Sequence, residues 1–254
     1  FEMAASKRLY TSVSNSDKDA DIERIKGQLE ALKSAVDVNN TQNTDKNLVK
    51  EDLAYKNQEN DIVLTFDEMQ AGFARTGKAF GFQHYDIEPD LICCGKGMGN
   101  GYPLSGVIGK KKIMDLPEIG NMSSTHSANP VACAVGLAVI EEIESKNLIQ
   151  ETQRKGLLLK NKLNTLKDSS NGRISHILGE GLIASILFQD PNTKKPDSYL
   201  TSKIVDKCYE KGLLVVHTGR ESIKLGPPLT ISDEALIEGL DVIIECFNDA
   251  SSEQ

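Results

Sequence analysis

The spacing of apolar positions divides the chain into stretches of different character. Between Ser16 and Asp37, Ile22, Ile25, Leu29, Leu32 and Val36 recur at alternating intervals of three and four, behind Asp17, Asp19 and Asp21. That spacing predicts a helix with its acids at the positive end of the helix dipole. Two heptads are too short to hold a dimer by themselves, so the seam packs on its own protein or docks against a partner helix. Residues 39–47 read as a polar loop. From Asp61 the texture changes to α/β. Ile62–Phe66 and Leu91–Cys94 are short continuous apolar runs, which predict strands of a sheet covered on both faces. Residues 130–145 predict a helix with Pro130 in its first turn, and a second amphipathic helix runs from about Ile149 to Leu166. After Ser169-Ser170-Asn171-Gly172 a smaller α/β unit is expected. It has a strand at Leu182–Phe188, a helix from about Tyr199 to Lys211, and a strand at Leu213–His217. A last helix, Asp233–Cys246, is capped by Ser232. The expected division is 1–60, 61–168 and 169–254, without internal repeats.

Composition narrows the function classes. The 254 residues carry 29 Lys+Arg against 37 Asp+Glu, a formal net charge of -8. Nucleic acid binding needs a basic face, so nucleic acid is not the expected partner. No apolar run approaches the roughly 18 residues of a membrane-spanning helix. Cys93, Cys94, Cys133, Cys208 and Cys246 lack metal-type spacing and read as buried thiols of a reducing compartment. The cytoplasm is the expected location, with an organelle matrix as the alternative, since Ala4–Ser16 has a faint transit-peptide character. The first residue is Phe1 and the earliest methionine Met3, so the chain is expected to be processed, tagged or part of something longer.

Two strand ends carry the candidate chemistry. In α/β sheets, functional side chains sit just past the carboxyl ends of strands. Asp67 ends one predicted strand and Lys96 follows another, so a carboxylate and an amine are expected in one crevice. Lys96 stands in Gly95-Lys96-Gly97-Met98-Gly99-Asn100-Gly101, where glycines allow close approach of a ligand. A lysine that loses its proton is a nucleophile toward carbonyls; the alternative is a surface lysine in a flexible loop. The stretch is neither a Walker motif nor a dinucleotide fingerprint. Glu68 follows Asp67 and is expected to point the other way. His84, His176 and His217 are scattered, and no metal site is assigned.

Four co-ordered segments then carry a resemblance. D-E-M-Q-A-G-F-A-R-T-G-K at 67–78, E-P-D-L-I-C-C-G-K-G-M-G-N-G-Y-P-L-S-G-V at 88–107, S-T-H-S-A-N-P at 124–130, and K-G-L-L-V at 211–215 with K-L-G-P-P-L-T-I at 224–231 resemble the class III pyridoxal-phosphate aminotransferases over about residues 61–248. The resemblance implies an α/β fold. It would be part of a fold-type I pyridoxal-phosphate transferase, the sheet core of the large domain, plus a smaller C-terminal α/β domain. It implies that Lys96 forms a Schiff base with pyridoxal 5′-phosphate and moves the substrate proton. Asp67 is implied beneath the pyridine nitrogen and Gln70 near the phenolic oxygen. Thr125, with Ser124 beside it, is implied at the phosphate of a neighbouring subunit, hence a homodimer.

The resemblance is to the family's second half only; the glycine/serine phosphate loop and the ring-stacking aromatic have no counterpart in residues 1–60. That half is expected to be supplied by another chain or to have been lost from this one. Lys224 replaces the usual arginine before Pro227-Pro228, a point charge instead of a planar fork, with Arg220 as a substitute or a surface charge. His126 and Ser127 replace an aromatic and a glycine. The expected activity moves an amino group between an amine or amino acid and a keto acid or aldehyde. A cofactor-free structural or interaction subunit is the rival reading. An isomerase or decarboxylase with the same Lys–Asp pair is not separable from a transaminase by sequence.

Overall fold

A computed structural model describes residues 62–122 and 124–252. The expected helix between Ser16 and Asp37 and the polar loop at 39–47 lie outside the described residues. The described residues divide into two units, one holding 62–64 and 84–88, the other 65–83 and 89–252. In the first, the described residues include Asp86, at a φ of 53°. The account below concerns the second.

The second unit contains two sheets. The first has three strands in the order β1–β2–β3: β1 (Thr65–Asp67), β2 (Leu91–Cys94) and β3 (Gly106–Gly109). β1 and β2 are parallel and β2 and β3 antiparallel. β1 begins later than the apolar run Ile62–Phe66 suggests, because only Thr65, Phe66 and Asp67 pair with β2. β3 carries no strong strand pattern between its glycines, and its Val107 and Ile108 are 44% and 54% exposed. Neighbouring strand residues face opposite sides. The expectation of a sheet covered on both faces is therefore corrected at β3, among the described residues.

Three helices follow, α1 (Lys111–Met114), α2 (Pro130–Ser145) and α3 (Leu148–Asp168). Pro130 occupies the first turn of α2, where its missing N–H costs nothing, and the Asn129 side chain accepts from the N–H groups of Val131 and Ala132 at 3.0 and 3.2 Å.

The second sheet is antiparallel throughout, ordered β4–β5–β7–β6: β4 (Ile174–Glu180), β5 (Ile183–Phe188), β6 (Val216–His217) and β7 (Ser222–Leu225). Helix α4 (Ser198–Glu210) lies between β5 and β6 in sequence, and α5 (Asp233–Ser252) closes the described chain. The Ser232 hydroxyl accepts from Ala235 N–H at 3.2 Å, the cap the sequence predicts. α5 runs six residues beyond the predicted Cys246. Phe247 and Ala250 continue its buried stripe with Leu236, Leu240, Ile243 and Cys246. α3 contributes Leu159, Leu163 and Leu166, and α4 contributes Leu200, Ile204 and Cys208, all at helical spacing. Together with Ile186, Phe188 and Ile223 of the sheet they make one dry core. Of the five thiols, all free, Cys94, Cys208 and Cys246 are buried, Cys93 is half-buried and Cys133 is exposed, so the uniform burial expected of them is corrected. Cys133 lies in the N-terminal part of α2, an element mostly exposed among the described residues.

Arg75 joins the loop after β1 to the second sheet. Its guanidinium donates to the carbonyls of Leu182 (3.1 Å) and Pro227, while Leu182 N–H donates to Arg75 C=O at 3.0 Å. Gly181 sits at a φ of 59°, and a Cβ there would lie 2.5 Å from the Thr76 carbonyl carbon. Only glycine allows both that backbone and that approach. Arg154 of α3 holds Asp233, the first residue of α5, through two bonds of 2.8 and 2.7 Å, and Glu151 at 2.9 Å.

Replacing Arg75 by Ala leaves two partly buried carbonyls without a donor. A loss of ~2–4 kcal/mol in urea unfolding is expected. Hydrogen bonds from Arg154 hold the Asp233 and Glu151 carboxyls below their ordinary values. A depressed carboxyl contributes stability that is present above its unfolded pKa and lost as pH falls through its folded one. Arg154→Ala is therefore expected to lower the thermal midpoint at neutral pH. The difference from wild type should vanish below the ordinary carboxylate range.

Candidate active site

The carboxyl ends of β1 and β2 build the site. Asp67 is paired in register with Cys93, and the strands run parallel, so Asp67 and the residues just after Cys94 emerge at the same edge, with the strands about 4.8 Å apart. The Asp67 carboxylate is exposed, and its Oδ1 accepts from the Met69 N–H at 3.0 Å, which fixes it at the head of a tight turn. Burial and the Asp67 charge push the Cys93 thiol pKa upward, in keeping with that adjacency.

Lys96 opens a single 3₁₀ turn, Lys96–Met98, directly after β2. Its φ of 45° places a non-glycine residue in the left-handed region. Such a conformation costs on the order of 1–2 kcal/mol and persists where the surroundings enforce it. Its carbonyl accepts from the N–H groups of Gly99 (3.1 Å) and Asn100 (3.0 Å), and Met98 N–H donates to Gly95 C=O at 3.0 Å. The side chain of Lys96 is exposed.

Glu68 takes the opposite direction from Asp67, as alternation along an extended segment requires. It is 1% exposed, and its two carboxylate oxygens accept from the N–H groups of Gly81 and Phe82, each at 2.8 Å. Its own N–H donates to Cys93 C=O at 2.9 Å. It is a structural anchor that ties the loop after β1 into place. The sequence carries one signal for it, the alternation Asp67/Glu68 at a strand end, but not its partners.

Gln70 follows on the same turn. Its Oε1 accepts from Nζ of Lys224 on β7, across 154 positions of sequence. Burial and the positive charge of Lys96 lower the Lys224 pKa, so both amines and the Gln70 amide share one neighbourhood. Asp67, Lys96, Gln70 and Lys224 thus gather at one rim. Arg220 stands exposed in the turn between β6 and β7, its Nε 3.5 Å from the Glu221 carboxylate. Ser124 and Thr125 are exposed on the turn before α2. There Ser124 bonds within its own turn, its N–H to Ser127 Oγ at 3.0 Å and its hydroxyl to that same oxygen at 2.9 Å.

An acid, an amine and an amide at two adjacent strand ends fit the ring end of pyridoxal phosphate: the acid suits a protonated ring nitrogen, the amine an aldehyde, the amide a ring oxygen. Such a set, on a partly parallel sheet with helices following it, defines a class of cofactor-dependent group-transfer proteins.

Comparison places the chain within that class. The family model for aminotransferase class-III matches residues 44–247, reaching further toward the N-terminus than the motifs do. The chain belongs to the class-III aminotransferases, and its fold is part of fold type I. It is 39% identical over 194 residues to a 4-aminobutyrate aminotransferase of Mycobacterium leprae, covering 76% of this chain and 43% of that one. It is 38% identical to a leucine/methionine racemase of Thermococcus litoralis, covering 75% and 43%. Among solved structures, an aminotransferase of Bacillus anthracis superposes with a TM-score of 0.73 at 32% identity, over 80% of this chain and 48% of that one. The matched stretch thus spans less than half the length of these curated relatives. Among the described residues no helix is long and apolar enough to cross a membrane.

Glu68→Ala strips the acceptor from two N–H groups and is expected to cost ~2–5 kcal/mol in chemical denaturation. Glu68→Gln, which keeps one acceptor oxygen, is expected to cost less.

Proposed function

We propose that this chain carries the catalytic lysine and its acid partner of a pyridoxal-phosphate-dependent aminotransferase, which moves an amino group between an amine or amino acid and a keto acid or aldehyde. The observation that carries this is the placing of Asp67 and Lys96 at the ends of two paired parallel strands, in a chain of the class-III family. When bound, the cofactor supplies an electron sink for the bond broken at the substrate's α-carbon. Lys96 would hold the cofactor through its amine, and it would take and return the substrate proton. Its left-handed backbone and the flanking glycines keep bulk away from its amine. Asp67, held by the Met69 N–H, keeps the ring nitrogen protonated. Gln70 faces the ring oxygen, and Lys224 meets the substrate carboxylate, with Arg220 further out on the β6–β7 turn. Thr125 and Ser124, on their exposed turn, serve the phosphate of a neighbouring subunit in a homodimer. We assign residues 61–168, with the first sheet, to the large domain, and 169–254, with the second, to the small one. The free thiols fit a reducing compartment, the cytoplasm or an organelle matrix.

A second reading has one observation in its favour. The racemase relative is nearly as similar as the aminobutyrate aminotransferase, and an isomerase uses the same lysine and aspartate.

The test is borohydride reduction of the full chain incubated with pyridoxal phosphate, followed by peptide mapping. The label is expected on Lys96 and lost in Lys96→Ala, and a label elsewhere, or none, removes the assignment. Product analysis then separates the two readings, since a transaminase converts its amine to a carbonyl compound and a racemase returns it inverted.

A further inference from the structure

A lysine ammonium has three donors and no acceptor, whereas a side-chain amide has one acceptor end and one donor end. Lys224 Nζ donates to Oε1 of Gln70, so the carbonyl end of that amide is committed to β7 and its NH₂ is directed away from it. Gln70 is exposed and stands three residues after Asp67, and the two ends of its amide are alike in size and shape. The neighbour from the second sheet is what breaks that symmetry. Lys224 is in turn placed by its strand: it pairs with Ser185 of β5 and Val216 of β6, between the buried Ile223 and Leu225.

We propose that Lys224 is a positioning residue for Gln70, fixing the polarity of its amide so that the NH₂ group is presented as a donor to the cofactor's ring oxygen. This rests on the assignment of the Asp67–Lys96 crevice to pyridoxal phosphate. A donor aimed at that oxygen favours its anionic form, the better acceptor. An amide free to flip offers its carbonyl part of the time, which repels the same oxygen. The position therefore needs a donor-only side chain. Arginine meets that demand as lysine does, methionine does not, and glutamate reverses it. Burial and the Lys96 charge lower the Lys224 pKa, so the latch is a sensitive one: it loses its third proton sooner than a free lysine would.

The experiment measures pyridoxal-phosphate affinity of the full chain by absorption titration in wild type, Lys224→Met, Lys224→Arg, Lys224→Glu and Gln70→Ala, with the Gln70→Ala/Lys224→Met double variant. Loss of an oriented hydrogen bond predicts an affinity two- to about tenfold weaker for Lys224→Met. Lys224→Arg should restore it, Lys224→Glu should be weaker than Lys224→Met, and Lys224→Met should add nothing once Gln70 is Ala. A methionine effect of the same size in the Gln70→Ala background, or failure of arginine to rescue, overturns the proposal. A cofactor-free arm reads the latch itself: acetic anhydride labelling of Lys224 should rise severalfold in Gln70→Ala, and unchanged labelling also overturns it. Absence of cofactor binding in the wild type, with Lys224 still protected by Gln70, would fault the cofactor assignment and leave the latch standing.

Discussion

The joint between the loop after β1 and the second sheet sets everything else in place. Arg75 gives its guanidinium to two carbonyls, at Leu182 before β5 and at Pro227 after β7, and receives the Leu182 N–H on its own carbonyl. The two backbones are so close that a methyl group on Gly181 would collide with Thr76. A Cβ on Gly156 of α3 would fall 2.5 Å from the Gly181 Cα, so the helix, the turn and the loop meet without side chains between them. A charged side chain in such a place is stable only because carbonyls surround it, and those carbonyls are satisfied only because it is there. The joint cannot be loosened piecemeal.

From that joint the site follows. Five residues before Arg75 lies Gln70, and three before Pro227 lies Lys224. Fixing Arg75 to Pro227 therefore brings the amide and the ammonium into contact. On the other side of the same loop, Glu68 is pinned by the Gly81 and Phe82 N–H groups, which leaves Asp67 facing outward at the strand end. Exposed and enclosed side chains alternate along one short segment: Asp67 outward, Glu68 inward, Gln70 outward, Arg75 toward the second sheet. The enclosed Glu68 and half-buried Arg75 thus hold in place the backbone that carries the exposed Asp67 and Gln70.

The two halves of the described structure differ in how they are finished. The second sheet carries helices whose apolar stripes close a dry core around Phe188, Ile186 and Leu163. The first has three short strands, with Val107 and Ile108 open on opposite faces and Leu137 of α2 exposed. The relatives match this chain over less than half of their own length, so the openness around β3 accompanies a partial span of the family's fold.

The sequence by itself determined the local elements whose own pattern suffices. Helices α2 to α5 were legible because apolar residues repeat at three and four and because Pro130 and Ser232 mark their starts. The strand-end positions of Asp67 and Lys96 were legible because short apolar runs end beside them. β3, β4 and β7 were not: glycines bracket the first, His176 interrupts the second, and Ser222 and Lys224 alternate through the third, so pairing with β2 and β5, not composition, makes them strands. The contacts of Arg75 and the Lys224–Gln70 bond link residues 107 to 154 positions apart, and no local signal spans that distance. Only the tertiary structure decided them, because a hydrogen bond is a matter of a few tenths of an ångström in space, whereas a pattern in sequence records only which face of an element is dry.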